Sequence, residues 1–240
     1  MKRIQSWILV TATACVVAFA AAPASAAVIT WTTWTGGTIG STSGTASGNL
    51  VGLGNTSVSY TGEMQGLNNG VSWTPTSTFS GGTVGNAPPT GVNDAIALTG
   101  TATAVVVDTI TFGAPVVNPI LAIWSLGQGG INARFQFNAS EPFTIQGGGA
   151  SAQFGGSSIF VGGSCPANAV CGIEGNGVIQ FNGTFTQLTW TNPVFENYYA
   201  FTVGATALDQ VPVPEPGSLI LLGTGLIGVA ARWRTRRRTR

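Results

Sequence analysis

Alternation of apolar and polar positions is the clearest pattern in the central part of the chain. In residues 131–137, Ile131, Ala133, Phe135 and Phe137 fall on one side, with polar side chains between them. A two-residue period of this kind is typical of a strand that is buried on one face. Further segments rich in β-branched and aromatic residues are also predicted strands. They are residues 28–35, 56–61, 95–98, 103–112, 120–126, 143–146, 158–161, 178–181, 185–191 and 198–203.

Glycine-rich stretches and Asn-Gly pairs separate these segments and predict turns. Asn182-Gly183 stands between Phe181 and Phe185 and predicts a hairpin whose three-residue, bulged loop puts both phenylalanines on one face. Asn176-Gly177 predicts a second turn. Residues 36–54, rich in Gly, Ser and Thr, predict a surface loop.

The number and spacing of the strands predict the fold class. Many short strands without an amphipathic helix favour an all-β fold, an antiparallel β-sandwich of jelly-roll type that spans residues 27–209. A right-handed β-helix is the rival fold, and it is disfavoured because the chain has no constant repeat length.

Charge is distributed unevenly along the 240 residues. Eight of the nine basic residues lie in the first three or the last nine positions, whereas residues 27–209 contain one, Arg134, and seven acidic residues. A formal net charge of −6 in that region cannot neutralise a row of phosphates, so we expect no nucleic-acid partner. The chain has no histidine, the commonest general base and metal ligand. We expect no metal site, no cofactor and no catalytic residue.

The N-terminal residues have the three parts of a secretory signal peptide. Lys2 and Arg3 precede an apolar stretch, residues 7–22, and small residues follow at positions 24–26. This order predicts export and cleavage between Ala26 and Ala27. Residues 1–26 are therefore expected to be absent from the mature protein.

The C-terminal segment, residues 210–240, combines prolines, an apolar run and a basic tail. Pro214, Glu215 and Pro216 belong to a proline-rich stretch that cannot be helical. Residues 217–231 predict a transmembrane helix, whose length of about 22 Å is short for the ~30 Å hydrocarbon core. The positive-inside rule predicts that the tail stays in the cytoplasm. Its arginines are Arg232, Arg234, Arg236, Arg237, Arg238 and Arg240.

This succession of Pro-Glu-Pro, apolar helix and arginine cluster resembles the PEP-CTERM sorting signal. The resemblance covers about the last thirty residues. It implies that an exosortase, a membrane protease, recognises the segment and cuts near Pro214-Glu215-Pro216. It also implies a Gram-negative host that makes exopolysaccharide or biofilm. The protein would then be anchored in the inner membrane for a limited time. The label of ice-binding-protein C-terminal domain that is sometimes given to such segments describes the sorting tail.

The mature chain would keep two cysteines, Cys165 and Cys171, because Cys15 is removed with the signal peptide. Thiols in an oxidising compartment form disulfides, so a local disulfide is predicted. A redox centre is the alternative, but the pair lacks the Cys-x-x-Cys spacing.

Seven carboxylates could include a glycosidase pair, for which Asp108 and Glu174 are the first candidates. Solvated surface acids are the favoured interpretation.

Trp31 and Trp34 could stack on sugar rings. They are three residues apart and so would face opposite sides of one strand, which would leave one of them exposed. Core packing is the favoured interpretation of the tryptophans.

Repeated Thr-x-Thr pairs, such as residues 30–32 and 109–111, could form a flat ice-binding array. Their irregular spacing favours ordinary strand propensity instead.

The leading functional hypothesis is a non-enzymatic surface or extracellular matrix protein, exported and then processed at its C-terminus. A carbohydrate-binding module that uses an exposed tryptophan is the first alternative. A polysaccharide hydrolase and an ice-binding protein are weaker alternatives.

Overall fold

Strands account for nearly all regular structure in the computed structural model, which describes residues 26–68, 70–91, 94–100 and 106–209. Within these residues there is one short 3₁₀ helix, Thr76–Thr78. The strands are β1 (Thr30–Trp31), β2 (Thr33–Thr38), β3 (Gly40–Leu50), β4 (Thr56–Met64), β5 (Gly66–Asn68), β6 (Ala95–Leu98), β7 (Val107–Val117), β8 (Ile120–Leu126), β9 (Ala133–Phe137), β10 (Phe143–Gly149), β11 (Ser157–Ser158), β12 (Ala169–Gly172), β13 (Gly175–Phe181), β14 (Thr184–Thr191), β15 (Tyr199–Ala205) and β16 (Ala207–Leu208).

The strands form two sheets. The first has the order β10-β13-β8-β15-β6-β5, with β1 paired to β15 and β11 to β13. The second has the order β12-β9-β14-β7-β4-β3-β2, with β16 paired to β7. All pairs are antiparallel except the short pair β11–β13. The predicted all-β, antiparallel sandwich is therefore confirmed. The jelly-roll subtype stays a prediction, although most strands from β6 onward are followed by a strand of the other sheet.

An aromatic cluster fills the space between the sheets. Phe135 of β9 is fully buried and its ring lies 5.7 Å from Trp190, 5.7 Å from Tyr199 and 6.1 Å from Phe201. Trp190 lies on the same sheet as Phe135, whereas Tyr199 and Phe201 lie on the opposite sheet. Edge-to-face ring contacts of this kind stabilise beyond the area that they bury. The cluster therefore joins the two sheets through side chains that are far apart in sequence.

The prediction of a loop over residues 36–54 is wrong. Most of this stretch is β-structure, the end of β2 and all of β3. Its inward-facing positions are Gly44, Ala46, Gly48 and Leu50, which alternate with outward polar residues. A Cβ atom at Gly48 would lie 2.7 Å from Thr32 Cγ2 and 2.7 Å from the Thr33 carbonyl oxygen, so only glycine fits this position without a shift of its neighbours. The sequence pattern does not reveal this strand, because most residues on its buried face are glycine or alanine and not bulky hydrophobic residues.

The hairpin predicted at Asn182-Gly183 is also wrong. β13 pairs with β8 and β10 in one sheet, whereas β14 pairs with β7 and β9 in the other. The turn therefore carries the chain across the sandwich. Phe181 and Phe185 still contact each other, with ring centroids 6.0 Å apart, because they face each other between the sheets.

Both ends of the β-domain are attached to the fold. At the N-terminal end, Ala27 donates a backbone hydrogen bond to Thr83 (2.8 Å) and accepts one from Gly85 (2.7 Å). At the C-terminal end, β16 pairs with β7 and the Asp209 N–H donates to the Pro115 carbonyl oxygen at 2.8 Å. The predicted signal peptide up to residue 25, the Pro-Glu-Pro motif, the predicted transmembrane helix and the arginine tail lie outside the described residues. Across the part that is described, no helix is long and apolar enough to span a membrane.

Candidate functional site

A β-bulge near one end of β8 redirects a serine side chain. Trp124 and Ser125 of β8 together oppose the single residue Asn176 of β13. The buried Asn176 side chain replaces the missing ladder bond, since its Oδ1 accepts from the Ser125 N–H at 2.9 Å. Its Nδ2 donates to the Glu174 carbonyl oxygen, also at 2.9 Å. Bulges commonly re-aim side chains next to binding sites. The turn predicted at Asn176-Gly177 is thus a strand position whose side chain holds this bulge.

Ser125 and Glu174 share an uncommon backbone conformation. Their φ angles are 57° and 52°, in the left-handed region that costs non-glycine residues roughly 1–2 kcal/mol each. The two side chains meet, because Ser125 Oγ donates to Glu174 Oε2 at 2.5 Å. Strained residues of this kind concentrate at functional sites. The pair therefore marks this end of the first sheet as the candidate site.

The pair opens into a small cleft, called the Glu174 cleft below. Its volume is about 140 Å³. Its lining residues are Ser125, Gly127, Gln128, Phe154, Glu174, Asn197 and Tyr198. Asn197 Nδ2 donates to Gln128 Oε1 at 2.9 Å, which fixes two amides at the rim. The residues around this open space therefore carry one carboxylate, two hydroxyls and two amides.

Aromatic rings form the apolar side of the Glu174 cleft. The Phe154 side chain is 56 % exposed, although it is large and hydrophobic. Its ring lies 5.3 Å from the buried ring of Trp124, and the Tyr198 ring packs edge-on against the same indole at 5.7 Å. Trp124 thus acts as a rigid base for the two outer rings. An exposed ring beside fixed polar groups is typical of a ligand site.

Glu196 lies next to the cleft but is closed off from it. Its side chain is 1 % exposed, and burial raises its pKa to about 8. The backbone of Gly127 lowers this pKa in part, and the Glu174 carboxylate raises it further. Glu196 therefore carries a proton at neutral pH and cannot contact a ligand in the cleft.

A second group of acids is buried between the sheets. Tyr60 OH donates to Asp108 Oδ1 at 2.6 Å, and the Glu63 N–H donates to the same oxygen at 3.0 Å. Tyr199 OH donates to Glu63 Oε1 at 3.1 Å and accepts from Asn192 Nδ2 at 2.6 Å. Burial raises the pKa of Asp108 to about 8 and that of Glu63 to about 7. Both carboxyl groups are sequestered from solvent.

The two acids singled out from the sequence therefore have different settings. Asp108 is a core residue, whereas Glu174 is partly exposed in the cleft. A glycosidase needs two carboxyl groups that reach the same sugar. In residues 26–209, as far as the structure describes them, five of the seven acids are buried, which leaves Glu174 and Asp209. Asp209 lies at the end of β16, beside Pro115, and is not among the residues that line the cleft.

Trp31 and Trp34 do not provide an exposed face for a sugar. Trp31 lies on β1 of the first sheet and Trp34 on β2 of the second, so they do not share one strand as their spacing predicts, and both side chains are covered. Trp31 is 6 % exposed and Trp34 is 2 % exposed, and they belong to two separate core clusters. The outer face of the first sheet is covered by the segment that contains Trp73 and Phe79, which pack in the same cluster as Trp31. Core packing, the favoured interpretation, is therefore confirmed for both tryptophans, and neither provides the exposed face that the alternative requires.

Threonines align across the second sheet in spite of their irregular spacing in the sequence. Cross-strand pairing places Thr38, Thr45, Thr61, Thr109 and Thr189 in one row over five adjacent strands. Adjacent strands of a sheet are rotated by roughly 20–25°, so such a row turns by roughly 80–100° along its length. A row that twists does not provide the flat array expected for ice binding.

The predicted disulfide is present. Cys165 and Cys171 are bonded, with Cα atoms 5.8 Å apart, and pack with Phe160 and Ala169. The loop between them is short, so the disulfide stabilises by roughly 2–2.5 kcal/mol on the chain-entropy estimate.

We expect denatured exported protein to resist thiol alkylation because both cysteines are oxidised. Intact-mass measurement should show no added alkyl group without reductant and two after reduction. Two modified cysteines without reductant would contradict the disulfide. A Cys165→Ala and Cys171→Ala double variant is the control that cannot be alkylated in either state.

Of the residues that line the cleft, Glu174 is the one that the sequence identifies as a candidate. Phe154 lies in a polar, glycine-rich predicted loop, and Asn197 directly precedes the predicted strand 198–203, so neither carries a specific signal of a binding site. Among the described residues, no group of three or more acidic or cysteine side chains could hold a metal ion.

Comparison with known protein families identifies the C-terminal segment. Residues 212–238 match the PEP-CTERM protein-sorting motif, which confirms the resemblance drawn from the Pro-Glu-Pro stretch, the apolar run and the arginines. The motif implies export, transient anchoring in the membrane and processing by an exosortase. No similar protein is found among curated proteins, and none among solved structures.

Proposed function

We propose that this PEP-CTERM sorting-signal protein is a non-enzymatic protein of the cell surface or extracellular matrix that associates with exopolysaccharide. The observation that carries this function is the sorting motif at residues 212–238, which follows a β-sandwich that ends at residue 208. The described part of the chain forms one β-sandwich, and the segment that follows it carries the sorting motif. Its partners are an exosortase in the inner membrane and the polysaccharide outside it.

The burial of the acids supports a role without catalysis. A general acid–base pair needs two titratable groups within reach of one substrate. Glu63, Asp108 and Glu196 have the raised pKa values that such chemistry uses, but their carboxyl groups are enclosed in protein. Perturbed pKa values also arise in structural clusters. Here the hydrogen bonds from Tyr60 to Asp108 and from Tyr199 to Glu63 give these two acids a structural role.

The chemistry of the surface supports association with polysaccharide. Most of the acids are buried, and Arg134 is the one basic residue of the described segments, so the polar part of the surface consists mainly of hydroxyl, amide and backbone groups. Surfaces of this kind exchange hydrogen bonds with sugar hydroxyls and do not require counter-ions. On the same electrostatic ground, we expect no nucleic-acid partner.

Deletion of the host exosortase tests the sorting step. We expect the protein to accumulate as a heavier, membrane-retained form, because the segment after Pro214-Glu215-Pro216 is no longer removed. Immunoblotting of membrane and extracellular fractions measures this. A Glu215→Ala variant in the wild-type host should be retained in the same way, whereas Asp209→Asn, just before the motif, should be processed normally. Unchanged mass and location after the deletion would contradict the proposal.

A further inference from the structure

We propose, on the premise that the protein associates with exopolysaccharide, that the Glu174 cleft binds one neutral sugar residue of the polysaccharide chain. In this proposal, Phe154 of the cleft stacks on the sugar ring, the role that the sequence suggests for Trp31 or Trp34. The polar residues of the cleft are Ser125, Gln128, Glu174 and Asn197.

The aromatic side of the cleft matches the apolar face of a pyranose. The C–H groups of a sugar ring pack against an exposed aromatic face, and Phe154 supplies such a face. Trp124 supports the Phe154 ring from below, and the Phe154 N–H donates to Ser151 Oγ at 3.1 Å, so the ring is held before a ligand arrives. A preorganised aromatic group binds with little loss of side-chain entropy.

The polar side of the cleft matches sugar hydroxyls. Glu174 accepts hydrogen bonds, and one of its oxygens is already oriented by Ser125. The Gln128 and Asn197 amides are fixed by their mutual hydrogen bond and can both donate and accept. Two strained backbone positions, Ser125 and Glu174, maintain this arrangement. A purely structural serine–glutamate contact would not require the strain to be placed at an open cleft.

Charge and size define the ligand further. Glu174 is the one charged residue among the lining side chains, and no basic residue lines the cleft. A uronate, sulfate or phosphate group would be repelled by its carboxylate, so the ligand is a neutral sugar. The volume of about 140 Å³ is below the roughly 300–1,000 Å³ of sites that enclose a drug-sized ligand. The cleft therefore holds one residue of a chain that continues across the surface.

Affinity electrophoresis of the exported protein tests this site. The gels contain galactomannan, xyloglucan or dextran as neutral probes, alginate as the acidic probe, or polymer extracted from the host. We expect retardation by at least one neutral probe and none by alginate. Phe154→Ala and Glu174→Gln should each weaken binding about tenfold. Phe195→Ala is the matched control, because Phe195 is 50 % exposed and does not line the cleft. Unchanged near-ultraviolet circular dichroism verifies that the variants are folded.

The outcomes separate this site from the proposed function. If the wild type binds polysaccharide and both cleft variants bind as well as Phe195→Ala, the site is wrong but the association with polysaccharide stands. Preferential binding to alginate would contradict the assignment of a neutral sugar as the ligand. If the wild type binds no probe, including the host polymer, both the site and the association with exopolysaccharide are wrong.

Discussion

The β-domain is expected to lose stability as the pH rises from about 4 to about 8. The cause is the group of buried acids formed by Glu63, Asp108 and Glu196, whose pKa values in the folded protein are about 7, 8 and 8. In the unfolded chain the same groups titrate near 4.5, 3.8 and 4.5. The folded state therefore binds more protons than the unfolded state throughout this window. The free energy of unfolding must then fall as the pH rises.

The size of this effect follows from the environment of the acids. Each unit of pKa difference corresponds to about 1.4 kcal/mol, and the pKa of each acid differs by several units between the folded and unfolded states, so each acid contributes at most about 3–6 kcal/mol. Tyr60 and Tyr199, the hydrogen-bond partners of Asp108 and Glu63, have pKa values raised by burial and bring no positive charge. Since many domains are stable by only about 5–15 kcal/mol, ionisation of the group is a large fraction of the total.

Urea unfolding at pH 5 and pH 8.5 measures this loss. We expect a lower unfolding free energy at pH 8.5 with an unchanged slope against urea. Asp108→Asn and Glu196→Gln should each reduce the difference between the two pH values, because a neutral amide replaces an acid that must ionise in the core. Asp209→Asn, at an exposed position, is the control that should leave the difference unchanged. Equal unfolding free energies at both pH values would contradict the prediction that the ionisation of the buried acids destabilises the domain.

Replacement of Phe135 by alanine is expected to cost about 3–5 kcal/mol, the usual range for the loss of a buried phenylalanine. Phe135 is fully buried, and its ring contacts aromatic residues of both sheets. Its removal leaves a cavity that Trp190, Tyr199 and Phe201 cannot fill without leaving their own partners. The substitution therefore weakens the attachment of one sheet to the other.

Urea unfolding at pH 5, where the acids are protonated, isolates this packing effect. Phe154→Ala is the matched control, since it removes the same atoms from a side chain that is 56 % exposed and should cost less than about 1 kcal/mol. A loss below about 1 kcal/mol for Phe135→Ala would mean that the aromatic cluster is not the main contact between the sheets.

The sequence predicts strands well where their inward side chains are bulky. Strands β6 and β8 begin and end at the predicted residues, and β9 lies within the predicted stretch. Strand β3 was missed because Gly44, Ala46 and Gly48 face a crowded interior, where small volume matters more than hydrophobicity. The apparent hairpin at Asn182-Gly183 was misjudged because turn chemistry does not determine in which sheet the next strand pairs.

The candidate site was harder to predict, because it is assembled across the sequence. Ser125 and Glu174 are 49 positions apart, and Gln128 and Asn197 are 69 positions apart. Spacing in the sequence carries no information about such pairs when a bulge and two left-handed residues create the contact. The buried acids were unpredictable for a related reason. An isolated carboxylate on a strand is usually solvated, and only the apolar neighbours of Asp108 suggest otherwise.

The anchoring of Asp209 to Pro115 limits how far the sorting site can stand from the domain. Five residue steps separate Asp209 from Pro214, and a fully extended chain covers at most about 3.6 Å per step. The Pro-Glu-Pro sequence thus begins no more than about 18 Å from the folded surface. A protease that cuts there must act close to the folded β-sandwich, because the linker is too short for the domain to move far from the cleavage site. The shape of the domain near β16 is therefore part of what the processing enzyme encounters, together with the motif itself.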